Sequence, residues 1–282
     1  MTWDAELLRL ANQSLADPLL DALLLAVSLL TTPLPICLLL WAVSWFKRRE
    51  GTALLAAFAA GVLLAVGLQF LLGRARPAGV RLIVPASAFP SFPSGHAAGA
   101  VALAALAARF WPRRGGLFFL AAGLVAFSRV YLGQHYPTDV LAGAVLGLAA
   151  AAVVYGFWYA PPQSGRPRWA CLIWGQAALV VLATLAASLQ LLSFHFLTLP
   201  GADKALHFLL FGLTAFFAAA WWAQAPVGRI VAALGLLALA EELSQALLPG
   251  RSADPFDLAA ALGGMVLCAW LSRRLTPRAA AP

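Results

Sequence analysis

Residues 51–73 read GTALLAAFAAGVLLAVGLQFLLG, a stretch without one charged side chain. A helix rising about 1.5 Å per residue over that length crosses a hydrocarbon core of ~30 Å. The stretches 137–160, 170–192 and 205–228 repeat the pattern, broken only by Asp139. Of the 282 residues, 62% are hydrophobic and 11% charged, too few charges to cover a water-soluble domain of this size. The sequence therefore predicts an all-α polytopic transmembrane helical bundle.

Working outward, residues 4–31 place Asp4, Glu6, Arg9, Asp17 and Asp21 among leucines, the pattern of an amphipathic interfacial helix. Pro33 and Pro35 interrupt it, and a short span follows to Phe46. Further spans are expected at 51–73, 95–110, 115–132 and 137–160. The stretch 161–168, PPQSGRPR, reads as a cytoplasmic linker between a domain at 1–160 and another at 169–282. Four more spans, near 169–192, 205–224, 228–248 and 256–272, bring the expected crossings to about nine. No internal repeat relates the halves. Asp4 and Glu6 stand where a cleavable signal peptide would carry bases, so none is expected. Cys37, Cys171 and Cys268 lie in apolar runs and read as small core residues.

The formal net charge is +8. Taking the runs as alternate crossings, one set of loops, with Lys47, Arg48, Arg49, Arg113 and Arg114 among its members, holds twelve bases against the single acid Glu50. The opposite set holds seven bases and ten acids, so the total divides as +11 and −3. The positive-inside rule accounts for that asymmetry without nucleic acid as a partner. It places the N-terminus outside and the C-terminus inside, which an odd number of crossings permits.

Polar residues inside or beside spans are costly and so informative. Three groups reach the same, extracytoplasmic side: Gly73-Arg74-Ala75-Arg76-Pro77, Pro93-Ser94-Gly95-His96, and Ser128-Arg129 with His135 and Asp139. Arg76 and Arg129 offer planar donor forks suited to phosphate oxygens. Ser94 and Gly95 open a helix whose free N–H groups favour an anion, with the Ser94 hydroxyl as a further donor. His135 precedes Asp139 by four residues, so the carboxylate is expected to bind one ring nitrogen and leave the other to attack. His96 is suited to protonate the departing oxygen and then activate water. Arg81 reads as a snorkelling anchor.

Arg76-Pro77, Pro93-Ser94-Gly95-His96 and Ser128-Arg129…His135…Asp139 resemble the three-part signature of the type-2 phosphatidic acid phosphatase (PAP2) superfamily, over about residues 15–160. The resemblance implies a phosphohistidine on His135, with His96 as general acid and base and Asp139 orienting His135. It implies a phosphate held by Arg76, Ser94, Gly95 and Arg129, without metal or cofactor. Gln69 stands where the family usually has lysine, and Arg74, two residues before Arg76, is the candidate to compensate.

A second polar set occupies residues 203–264: Asp203, Lys204, His207, Glu241, Glu242, Gln245, Arg251, Asp254 and Asp257. Asp203-Lys204…His207-Phe208, Glu242…Gln245 and Pro249-Gly250-Arg251…Asp257 resemble the VanZ-like membrane domain, here over residues 169–273, with Ala261 where that family tends to have asparagine. Two readings stand side by side. One is a structural ion-pair network of Arg251 with Asp254, Asp257 or Glu242, and the other is a ligand site of unknown role. The spacing fits no zinc or calcium motif. His195 has no identified partner and reads as interfacial.

Together these features predict a lipid phosphatase of the cytoplasmic (inner) membrane with its site on the extracytoplasmic side. The candidate substrates are undecaprenyl diphosphate, phosphatidylglycerophosphate, phosphatidate and a lipid A phosphate. Phosphoryl transfer to another hydroxyl would use the same phosphoenzyme. A non-catalytic lipid-binding or transport protein is the alternative of a different class.

Overall fold

A computed structural model describes residues 3–159, 167–188, 201–245 and 254–276. The described residues are helical with no strand, and the chain divides into compact units at Met1–Trp158 and Tyr159–Pro282. The first unit opens with α1 (Trp3–Arg9), which runs through a wide turn at Leu10–Ser14, then α2 (Pro18–Leu30) and α3 (Pro33–Phe46). It continues with α4 (Arg48–Leu72), α5 (Gly95–Phe110), α6 (Gly115–Tyr131) and α7 (Pro137–Trp158).

Local chemistry sets these ends. Asp17 caps α2 by accepting from the N–H groups of Leu19 at 2.9 Å and Leu20 at 3.0 Å, with Pro18 preset for the first turn. Gly73 ends α4 in the left-handed region, φ 62°, which costs glycine no steric penalty. The 74–94 segment then crosses to α5 without regular helix.

The interior sets polar side chains among buried apolar ones. Large apolar side chains face outward, such as Leu63, Leu120 and Leu141, while Gln69, Ser94, Arg129, His135 and Asp139 are buried. Close approach of α5 and α7 makes that interior possible. A methyl group on Gly143 would lie 2.4 Å from the Ser94 carbonyl, and one on Gly147 2.4 Å from that of Ala98. Small residues at the crossing bring the two backbones together, as is common between membrane helices.

Among the described residues, five helical segments are long and apolar enough to cross a membrane: Arg48–Leu72, Pro137–Trp158, Arg168–Ala186, Ala202–Trp221 and Pro255–Leu275. A sixth is reached if Trp3–Ser14 and Pro18–Leu30 form one broken span. That pair bends by 116°, so the single interfacial helix expected over 4–31 is instead two helices at an angle. Its acids do not form one solvated face either, because Asp4 is buried against Arg74 and Thr138 while Glu6 and Asp17 are exposed.

The second unit holds α8 (Leu172–Ser188), α9 (Ala202–Trp221), α10 (Val227–Gln245) and α11 (Pro255–Leu275). Its core gathers Phe211, Ala215, Ala219, Ala261, Met265 and Ala269. A methyl on Gly264 would strike the Phe208 carbonyl at 2.2 Å, so α9 and α11 also pack backbone to backbone. Most of the 161–168 linker, His195 and Arg251 lie outside the described residues, as does the side chain of Gln245.

Candidate active site

The three polar groups converge. Arg129 sits in the last turn of α6 and His135 just before α7, on a turn that needs Gly133 at φ 72°. A side chain at Gly133 would also meet the Arg81 carbonyl at 2.7 Å. Opposite, the Ser94 N–H donates to the Asp139 carbonyl at 2.9 Å, so the start of α5 is fastened to the first turn of α7. The result is a cavity of about 250 Å³ whose polar lining includes Gln69, Arg76, Gly95, His96, Arg129 and His135. Pro33, Phe58, Val62 and Val66 also line it.

His135 is buried, and its Nδ1 lies 2.8 Å from the Ser91 carbonyl oxygen. A carbonyl only accepts, so Nδ1 carries the proton and Nε2 keeps its lone pair. That Nε2 lies 3.4 Å from an Arg76 guanidinium nitrogen in the cavity wall. Asp139 was expected to be the direct acceptor. Its Oδ2 instead stands 3.6 Å from Nδ1 and accepts the Tyr136 N–H at 2.9 Å. The shorter bond belongs to Ser91, which sequence reasoning missed, since a backbone carbonyl leaves no mark in a sequence. Asp139 acts on the ring from slightly farther away, as a negative charge. Burial holds the His135 imidazole below its ordinary value, and Asp139 pulls in the opposite direction.

Arg76 ties the cavity rim together by donating to the carbonyls of Phe89 and Gln134, each at 2.7 Å. Arg129 donates to the Ser28 hydroxyl, and its Nε has no partner among the described residues. The same holds for His96 Nε2. Buried polar groups are nearly always paired in folded proteins, so orphans on two cavity-lining residues point to a polar ligand. The lining offers two guanidinium groups, two imidazoles and no carboxylate, a set that suits an anion.

Three sequence expectations need correction. Ser94 is fully buried and does not line the cavity, because its hydroxyl caps α5 by accepting from the Ala97 N–H at 3.5 Å. Arg74 does not stand in for a phosphate-binding lysine. It bridges Asp4 at 2.8 Å and Asp139 at 2.5 Å, with its guanidinium over the Tyr136 ring. Arg81 is no free anchor, since it pairs with Asp21 at 2.7 Å and packs over Tyr131. Gln69 does reach the cavity, and its amide donates to the Pro93 carbonyl at 2.8 Å, bracing the loop before α5.

In the second unit, Lys204 centres the polar set among the described residues, with its ammonium 2.7 Å from Asp254 and 3.0 Å from both Asp203 and Asp257. His207 lies 3.4 Å from Glu241 and 3.7 Å from Asp257, and Glu242 accepts the Asp254 N–H at 2.5 Å. Two ligand-like triads result, His207-Glu241-Glu242 and Asp203-Asp254-Asp257. The second already encloses the Lys204 charge.

The PAP2 superfamily pattern matches residues 50–162. Those residues form a PAP2 superfamily domain. The chain is 34% identical over 137 residues to phosphatidylglycerophosphatase B of Bacillus subtilis, covering 44% of this chain and 66% of that one. It is 39% identical over 79 residues to the undecaprenyl-diphosphatase BcrC of the same organism, covering 28% and 38%. The crystal structure of Aquifex aeolicus LpxE superposes with a TM-score of 0.51 at 28% identity, over 55% of this chain and 95% of that one. The chain spans between 36% and 66% of the length of the curated relatives it matches. Its apolar helices and PAP2 domain make it an integral membrane protein.

Proposed function

We propose that the PAP2 domain is a metal-independent phosphatase acting on a phosphomonoester or diphosphate head group of a membrane lipid. The carrying observation is the cavity in which His135 Nε2, His96, Arg76 and Arg129 face one volume. In the first step the Nε2 lone pair of His135 forms a bond to phosphorus while the bond to the leaving oxygen breaks. His96 gives that oxygen its proton, and Arg76, Arg129 and the N-terminus of α5 at Gly95 hold the phosphoryl oxygens as charge shifts among them. In the second step His96 takes a proton from water, which displaces His135 and releases phosphate. The Ser91 carbonyl and Asp139 steady the Nδ1–H of His135 as the ring gains positive charge.

Lipid as substrate is supported by the apolar side chains lining the same cavity, Pro33, Phe58, Val62 and Val66, which would meet the chain next to the head group. Relatives named for phosphatidylglycerophosphate and undecaprenyl diphosphate support the same class. We place the domain at 1–160, with about nine crossings over the whole chain, the N-terminus outside, and the site on the extracytoplasmic side of the cytoplasmic membrane. Residues 169–282 are proposed as a VanZ-like domain, supported by the polar set around Lys204.

The test is phosphate release by detergent-purified protein, with chelator present, from undecaprenyl diphosphate, phosphatidylglycerophosphate and phosphatidate. Turnover should survive chelation and fall by about three orders of magnitude or more in His135→Ala. Turnover that His135→Ala leaves intact would refute the mechanism. No turnover on any of these lipids by folded protein would favour a binding or transport role.

A further inference from the structure

Asp4 and Arg74 lie outside the cavity, yet both are bonded to the machinery behind it. Arg74 donates to Asp139 Oδ1 at 2.5 Å, to Thr138 Oγ1 at 2.7 Å and to Asp4 Oδ2 at 2.8 Å. Asp4 accepts the Thr138 N–H at 3.0 Å and hydroxyl at 2.6 Å. Asp139 is fully buried and Asp4 is 2% exposed. Leu8, one helical turn beyond Asp4, packs with Ala97, Val130 and Val140 and seats α1 against the elements that carry His96, Arg129 and His135.

The charges decide what this chain of contacts does. Alone beside Asp139, the Arg74 guanidinium would cancel the negative charge that faces His135. With Asp4 on its other side, two carboxylates share one cation and the trio keeps one net negative charge. His135 becomes cationic as its Nε2 bonds to phosphorus, and a fixed negative charge behind Nδ1 is worth most at that moment. Arg74 meanwhile holds Oδ1 of Asp139, which leaves Oδ2 turned toward the ring.

We propose that Asp4 and Arg74 are positioning residues for the His135–Asp139 pair, with Asp4 offsetting the charge that Arg74 brings to Asp139. The inference rests on the phosphatase reading above. It makes the N-terminal helix a working part of the site and not only a membrane-surface element.

The test measures phosphoenzyme formation by rapid quench, using the best of the three lipids with a radiolabelled phosphate. Rates are taken per labelled site, so that any misfolded fraction drops out. Asp4→Asn keeps the shape and one oxygen to accept the Thr138 N–H, but removes one charge and the oxygen that accepts from Arg74. It should slow labelling about tenfold, with the half-saturating lipid concentration unchanged within about twofold. The double variant Asp4→Asn with Arg74→Gln restores the net charge of the trio and should regain most of the rate. A purely structural latch predicts the opposite, since the double variant has lost both partners. Wild-type rates in Asp4→Asn, or a double variant no faster than Asp4→Asn, would overturn the proposal while labelling lost in His135→Ala leaves the phosphatase reading standing. Absence of labelling in the wild type would overturn both.

Discussion

At the scale of single residues, His135 carries the most specific expectation. Its neutral form is the nucleophile, and burial disfavours the protonated form more than Asp139 favours it. The folded-state value therefore lies below the ordinary ~6.5 of histidine. Protonation quenches the nucleophile, so the acid limb that His135 imposes on kcat/KM should fall below that pH, and activity should persist into mildly acidic buffer. A wild-type pH–rate profile checks this, and a limb above ~6.5 would contradict it. The cavity residues were legible in the sequence because a polar group in an apolar chain is costly and stands out. What surrounds them was not. Ser91 acts through its carbonyl, which any residue possesses, and Asp4 looked like one acid of an amphipathic helix until Arg74 and Thr138 were found around it.

At the scale of elements, helix positions followed from hydrophobic runs and punctuation, while helix packing did not. The run at 95–110 is α5 to the residue, since Pro93 and Ser94 start it and Trp111-Pro112 ends it. Periodicity could not reveal that Gly143 and Gly147 of α7 lie against the α5 backbone, because glycine in an apolar run looks like any small residue. That contact sets the spacing between His96 on one helix and Asp139 on the other. Gly143→Ala would force its new methyl against the Ser94 carbonyl, now 2.4 Å away, and against the Ala97 methyl, now 3.1 Å away. Overpacking of this kind costs ~1–3 kcal/mol. The variant should show a lower unfolding temperature in detergent and weaker phosphate release. Gly123→Ala on α6 is the control, since nothing lies within 4 Å of its new methyl group, and it should change neither.

For the whole molecule, length and composition single out five helices among the described residues, or six with the bent pair, whereas the proposed topology has about nine crossings. The difference is physical. The 16-residue α5 and 14-residue α3 are apolar but short, and α5 begins at the buried site, directly after the irregular 74–94 segment. Neighbouring helices can shelter such a segment where lipid could not. Charge then decides orientation. Lys47 links α3 to α4 and Arg48 and Arg49 open α4, Arg113 and Arg114 lie between α5 and α6, and Arg273 and Arg274 at the end of α11. Basic clusters next to spans stay in the cytoplasm. If they do so here, the segment holding Arg76 and His135 must open on the other side. In a cysteine-free background, a cysteine at exposed Ala78 should react with a membrane-impermeant maleimide applied to intact cells. One at Arg113 should react only after the membrane is permeabilised. The reverse pattern would put the phosphate cavity on the cytoplasmic face, and the substrate would then have to be a lipid whose head group is presented there.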